Sequence, residues 1–503
     1  MFGFLRRKRA APLQLLGQTP IRGKFDSAQT TDANRRHWAM ADGLDPDKAA
    51  SPSVRKILRD RARYEVANNT YGRGIVLTLA NDVIGNGPRL QMLTDDEEVN
   101  SKLEREFAVW AKATDLAAKL RTMRMARAQD GEAFALLFSN PALASAVKMD
   151  LKLIEADQVA APSGLAPKAN AVDGIEYDDA GNPTTYHILK NHPGSDSATG
   201  ADGDRVAAAN VIHWFRADRP GQRRGLPDLL PALPLFAQLR RYTLAVIAAA
   251  ESAADIAVFM KTSTPAGGEC AGVVPMTTME FEKNMAVFGP EGWEPSQVRA
   301  EQPATSYFDF KRAIINEIGR CVNMPYNIAA CDSGDSSYSA GKLDHRLYLK
   351  SVGVDQAHCE AVVVDRILTA WLAEGVKVYE DVDFAVGVIA EAPHQWMWES
   401  SYEYLEPERD ANAQSVRLQN HTTTLAAEYA KTGKDWQTEL KQRAKELGVE
   451  KKLAEIFPRP AAPRTPQREP EPASPAGRPA VPSGSQAPER GRGQPAAQPG
   501  GRA

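Results

Sequence analysis

The segment Gly334–Lys342 (GDSSYSAGK) has the residue types of two catalytic motifs and the spacing of neither. A phosphate-binding loop needs G-x-x-x-x-G-K-[ST] after a buried strand, so that backbone amides cradle phosphate and a hydroxyl holds magnesium. Here two extra residues separate the glycines, Leu343 follows Lys342, and no apolar strand precedes. Cys331–Ser336 has the look of a serine-nucleophile region, but a working nucleophile needs a paired base and a third group to orient it. His345 and His358 are close in sequence, yet a helix would carry them away from Ser336. A serine hydrolase or a nucleotide-dependent DNA enzyme using Gly334–His345 is therefore the rival reading, not the favoured one. No catalytic residue and no cofactor is assigned.

The acidic residues do not assemble a metal site either. Asp130 and Glu132 lie two apart on a predicted helix and point to different faces. Asp381 and Asp383 would share one face of a strand with Val382 on the other, but no third carboxylate or histidine completes the set. Cys270, Cys321, Cys331 and Cys359 form no C-x-x-C pair and read as reduced thiols, so no zinc site is expected. Arg219, Arg223 and Arg224, interleaved with Gly221 and Gly225, are richer in possibility. Ahead of a helix they could grip a phosphate. They could equally form salt bridges to a neighbouring subunit, which is favoured because the loop feeds directly into a candidate packing helix.

That helix is the strongest element in the chain. Leu235, Leu239, Tyr242, Val246, Ala249, Ala253, Ile256 and Met260 fall alternately four and three apart. The spacing predicts one seam down a helix of about 27 residues, roughly 40 Å long. Alanine in the seam lets backbones approach closely, which suits identical helices side by side. Arg240, Arg241, Glu251 and Asp255 on the other faces exclude a membrane span.

Around it the pattern changes twice. Helices are predicted from near Ser53, over Tyr71–Val83 (stopped at Gly85-Asn86-Gly87-Pro88), over Asp95–Ala113 and over Leu116–Leu137. Strands follow at 151–154, 174–177, 185–189 and 211–215, with a flexible loop at 191–206. After the seam helix come a Gly/Pro-bearing stretch, a helix over Phe308–Cys321 and helical texture over Leu405–Leu447. Past Phe457 the chain is rich in Pro, Ala, Gly and Arg and is expected to be disordered.

With 503 residues, 43% hydrophobic, most of the chain should fold. A net charge of −3 argues against a dedicated nucleic-acid binder, such as a monomeric DNA adaptor. Arg6–Arg9 lack a following apolar run, so they read as a solvated basic arm and not a secretory signal.

Residues spread over about 50–450 resemble the lambda-type portal proteins of tailed bacteriophages. The resemblance is carried by Arg61–Gly87, Asp130–Phe134, His213, Arg219–Gln222 with Arg224, Gly225 and Pro227, Val322–Tyr326 and Ser336–Ser339. It implies a mixed α+β, helix-rich subunit with wing, stem, clip and C-terminal crown parts. The implied partition is an arm at 1–50, wing at 51–231, stem helix at 232–261, clip at 262–305, stem helix at 306–323 and tunnel loop at 324–340. A long helix and wing at 341–400, a helical crown at 401–457 and a tail at 458–503 complete it. It further implies a dodecamer at one capsid vertex of the virion, assembled in host cytoplasm. The implied partners are terminase, the major capsid protein, head–tail connector proteins and double-stranded DNA without sequence preference, with no membrane contact. Ser333, Ser336, Ser337, Tyr338, Ser339 and Lys342 are the expected channel residues. Arg219, Arg223, Arg224, Tyr242, Val246, Ala249, Ala253 and Ile256 are the expected inter-subunit residues.

Overall fold

The computed structural model describes residues 32, 35–161, 170–196, 203–255, 259–262, 293–296, 306–334, 337–379, 392–398, 407–432 and 434–456. Residues 1–439 form one compact unit and residues 440–503 a second. The first unit opens with α1 (Pro46–Ala49), capped by the Asp45 carboxylate, and α2 (Pro52–Asn68). Pro52, whose fixed φ suits a first helical position, starts α2, so Ser51 and not Ser53 stands at its cap. Asn69 accepts from the amides of Tyr71 and Gly72 to start α3 (Thr70–Ile84), which stops at Gly85 as expected. β1 (Arg89–Met92) leads to α4 (Glu97–Ala113), capped by Asp96, and then to α5 (Leu116–Asp130).

The predicted helix Leu116–Leu137 breaks at Gly131, and its last residues form β2 (Glu132–Ser139). Gly131 takes φ +92°, and a Cβ there would lie 2.4 Å from the Leu226 backbone, so only glycine permits the turn. β2 is the central strand of an antiparallel sheet, flanked by β3 (Met149–Ile154) and by a later strand at 211–215. β4 (Ala171–Val172), β5 (Ile175–Tyr177), β6 (Pro183–Leu189) and β7 (Gly203–Ala207) form a second sheet in that order. β7 falls inside the segment predicted as a flexible loop. Its residues are exposed except for half-buried Val206, so no apolar alternation marks it in the sequence. The central sheet closes with β8 (Val211–Phe215).

The seam helix is α6 (Leu233–Asp255), shorter than expected at its C-terminal end. Met260, assigned to the seam, lies instead in β9 (Phe259–Thr262), paired with β10 (Trp293–Ser296). α7 (Ser306–Arg320) is followed by the single turn α8 (Tyr326–Ala329), inside the segment expected to be a loop. α9 (Tyr338–Cys359) continues through a π turn, Glu360–Val364, into α10 (Asp365–Val378). β11 (His394–Met397) pairs antiparallel with β1. The helical stretch expected at Leu405–Leu447 is broken into α11 (Pro407–Gln419), α12 (Leu425–Ala430) and α13 (Trp436–Ile456).

One apolar core joins α3, α4, α5, α10 and β2, with Phe107 packed against Trp110 and edge-on to Trp371 at 5.3 Å between ring centres. A smaller cluster, including Phe134, Ile175, Tyr186 and Val211, sits between the two sheets. In the second unit, Arg443 pairs with Glu446 and Glu450 along α13 itself. No helix among the described residues is long and apolar enough to cross a membrane.

Candidate functional site

The arginine loop lies between β8 and α6, and its charges are answered inside the chain. Arg224 is 1% exposed and Glu132 0%. Arg224 Nε donates to Glu132 Oε2 at 2.9 Å and Nη2 to Oε1 at 2.6 Å. The Gly225 amide (3.0 Å) and His213 Nε2 (3.1 Å) also meet Oε2. Arg224 Nη1 donates to the carbonyls of Val159 and Asp173. Backbones cross so closely here that a Cβ on Gly225 would stand 2.1 Å from the Gly131 carbonyl oxygen.

α2 completes this cluster from one face, through arginines spaced at i, i+4 and i+8. Arg55 pairs with Asp173, Arg59 with Asp157 at 2.8 Å, and Arg63 with Asp130 at 2.7 Å and Asp157 at 2.8 Å. Burial alone would push the Glu132 carboxyl up, but the Arg224 charge and the hydrogen bonds from His213 and Arg224 hold it well below the usual range. Burial pushes His213 down, against the pull of Glu132. Burial also pushes Asp130 up, despite Arg63.

A second cluster fixes the far end of the loop. Arg124 reaches Asp228 at 3.0 Å and Asp355 of α9 at 2.8 Å, Arg127 reaches Asp355 at 2.8 Å, and Arg216 reaches Asp228 at 2.9 Å. Arg127 also lies over the Trp214 ring, 5.1 Å from its centre. Against burial, Arg124 and Arg127 hold Asp355 below its ordinary range. Leu229, Ala232, Phe236 and Leu239 are buried directly after the loop, so α6 leaves a rigid base.

Arg224 is thus corrected from an inter-subunit residue to an internal one, because a fully desolvated carboxylate needs a guanidinium beside it. Arg219 is exposed and donates to the Leu44 carbonyl at 3.0 Å. Arg223 lies half-exposed over the Tyr177 ring, 4.7 Å from its centre. Sequence spacing cannot separate these three, since arginines that bind within or between chains look alike. Glu132 was the missed residue, and Asp130-Gly131-Glu132 as a helix–turn–strand boundary was its only signal.

On α6, Tyr242 is also covered within the chain, stacked on Tyr307 at 5.7 Å and edge-on to Phe310 at 4.7 Å. Val246 is half-buried and Ala249 exposed. Ala253 lies in α6 with its side chain outside the described residues, and Ile256 lies wholly outside them. The apolar side chains left uncovered are others: Leu244 is 60% exposed, Ile247 48% and Phe308 77%. A helix apolar on nearly every side carries that signal, because one core cannot cover all of it.

In the serine run, Ser337 Oγ accepts from the Ala340 amide at 3.4 Å and caps α9. Ser333, Tyr338 and Ser339 are exposed, and Lys342 Nζ stands 5.8 Å from the centre of the Tyr338 ring. Ser336 lies outside the described residues, as do Asp381, Asp383 and Cys270. His345 is hydrogen-bonded to Asn327 at 3.1 Å and His358 accepts from the Trp214 indole at 3.3 Å, so each histidine is held elsewhere. Glu155, Asp157 and His192 bring potential ligand atoms within 4.8 Å of one another. Arg59 and Arg63 already occupy Asp157, and a dication would have to displace a guanidinium.

The chain belongs to the lambda family of phage portal proteins, whose family model matches residues 32–345. Among solved structures, one titled as the virion of a native gene transfer agent particle is 11% identical, with a TM-score of 0.41 over 75% of this chain and 90% of that one. A neck of the native particle computed with C12 symmetry gives 13% identity and a TM-score of 0.42 over 79% and 97%. A neck of the empty particle computed with C6 symmetry gives 13% and 0.38 over 72% and 100%. No curated protein matches.

Proposed function

We propose that this portal protein works as a ring of twelve copies at one vertex of the capsid, with DNA entering and leaving through its channel. In that reading the terminase docks on the ring during packaging and head–tail connector proteins bind it afterwards. The ring assembles in host cytoplasm, contacts the major capsid protein and remains in the virion. The chain supplies neither catalysis nor a cofactor; the energy of packaging comes from ATP hydrolysis in the motor. The carrying observation is the apolar surface that α6 and α7 leave uncovered in a single copy, in a chain of the portal family. Large exposed apolar surface marks a protein interface.

α6 and α7 are then the stem, the segment between them the clip, and residues 324–340 the channel loop. Its serines and Lys342 would touch sugar–phosphate weakly and without reading bases, as a sliding contact requires. Electron microscopy of the purified chain tests the reading. Closed rings with a channel wide enough for duplex DNA are expected; monomers or open filaments would contradict it. For the loop, deleting Ser333–Ser339 should leave rings intact and lower the DNA held per head, and full heads would remove it from the channel.

A further inference from the structure

α6 and α7 run antiparallel: the Cys321 thiol meets the Asp228 carbonyl at one end, and Tyr307 meets Thr243 at the other. The two outer sides of this pair differ in chemistry. On one side α6 lies against α2, joined where Arg240 pairs with Glu65 at 2.9 Å and covers the Tyr64 ring. That side exposes Ile57, Tyr64, Leu244 and Ile247 together with the cations Arg61 and Arg241. On the other side α7 exposes Phe308 and the carboxylates Asp309 and Glu317. Arg61, Arg241, Asp309 and Glu317 have no ion-pair partner among the described residues.

We propose that these sides are the two halves of one head-to-tail contact, the α2/α6 side of each copy seating the α7 side of the next. The occupant is a second copy because one surface of this chain carries the charge and the aromatic anchor that the other lacks. Apolar residues of both sides would form a dry centre, with the arginines and carboxylates as a charged rim that sets direction. Two different surfaces that meet repeatedly make a heterologous contact, which closes into a ring when the rotation between copies permits. The proposal rests on the ring reading and adds the direction and faces of its contact.

Reversing charge tests it on the full-length chain. One variant carries Arg61→Glu and Arg241→Glu, the other Asp309→Lys and Glu317→Lys; all four positions are exposed, so helix content and thermal transition should match wild type. Each variant alone presents like charges across every contact and should give no rings by mass photometry. Mixed in equal amounts, each contact is again between opposite charges, and rings with the two chains alternating should return. Rings from either variant alone, or no rings from the mixture although both variants fold, would overturn the face assignment while wild-type rings leave the ring reading standing. A wild-type chain that stays monomeric would instead remove the ring on which both rest.

Discussion

The junction around Glu132 and the α6–α7 pair are built on opposite plans. At the junction every buried charge has an opposite charge within the same chain, and two glycines allow backbones to touch. Along the pair, Leu244, Ile247 and Phe308 face outward with nothing of their own chain on them. A closed network makes a folded copy, whereas an open surface makes a copy that needs another. The difference assigns stability to the first region and assembly to the second, and mutations should separate them.

The largest effect is expected from Glu132→Gln. It leaves Arg224 buried without its carboxylate, a loss of about 3–5 kcal/mol. The urea midpoint should fall steeply, and a midpoint within error of wild type would mean that the junction does not hold the fold.

That prediction could not have been made from sequence. The helices were legible where spacing and punctuation agree, as at Asn69–Gly85 and in α6, and the strands where apolar residues alternate. Gly131 was not legible as a boundary, because the Ala and Leu residues on either side suit helix and strand alike. Once the helix was extended through it, Glu132 looked like surface. In the second region the error was one of face: the chosen seam held Tyr242, which an aromatic pair from α7 covers, and passed over Leu244 and Ile247. A helix apolar on most sides offers several seams, and only its packed neighbours select one.

A pH series sharpens the same contrast. Glu132, Asp157 and Asp355 are all held low by arginines against the upward push of burial, so their stabilisation is complete above the ordinary values of 4.5 and 3.8 and is lost as pH falls through the lower folded values. His213 is pushed down by burial, so below its ordinary 6.5 the unfolded chain takes up a proton that the folded chain resists. Asp130, pushed up by burial, works the other way. Thermal stability should therefore decline from about pH 6.5 and drop more sharply below about 4.5. Flat stability to pH 4, followed by differential scanning fluorimetry, would contradict the role given to this network.

A smaller effect, and a less intuitive one, is expected in the long helix. The Trp396 indole donates to Asp365 at 2.7 Å and the Trp398 indole to Glu360, so one strand holds carboxylates five residues apart. Five residues of α-helix would set them about 140° apart. The π turn brings them back to one side by absorbing one residue, and Ala361 is small and exposed within it. Deleting Ala361 should restore plain α-helix with both carboxylates still aligned, changing stability by less than about 1 kcal/mol. Deleting Thr369, which lies outside the π turn, should rotate Trp371 and Leu372 out of the core and cost several times more. Equal losses from the two deletions would show that the π turn carries no surplus residue.

The most direct test is the mass in solution of a chain carrying Leu244→Asp and Phe308→Asp, measured beside wild type. Wild type should give one species of twelve copies. The variant should give monomers that melt at the wild-type temperature, because both side chains are already exposed in the single copy. Rings of normal size from the variant would contradict the division of labour between junction and helix pair.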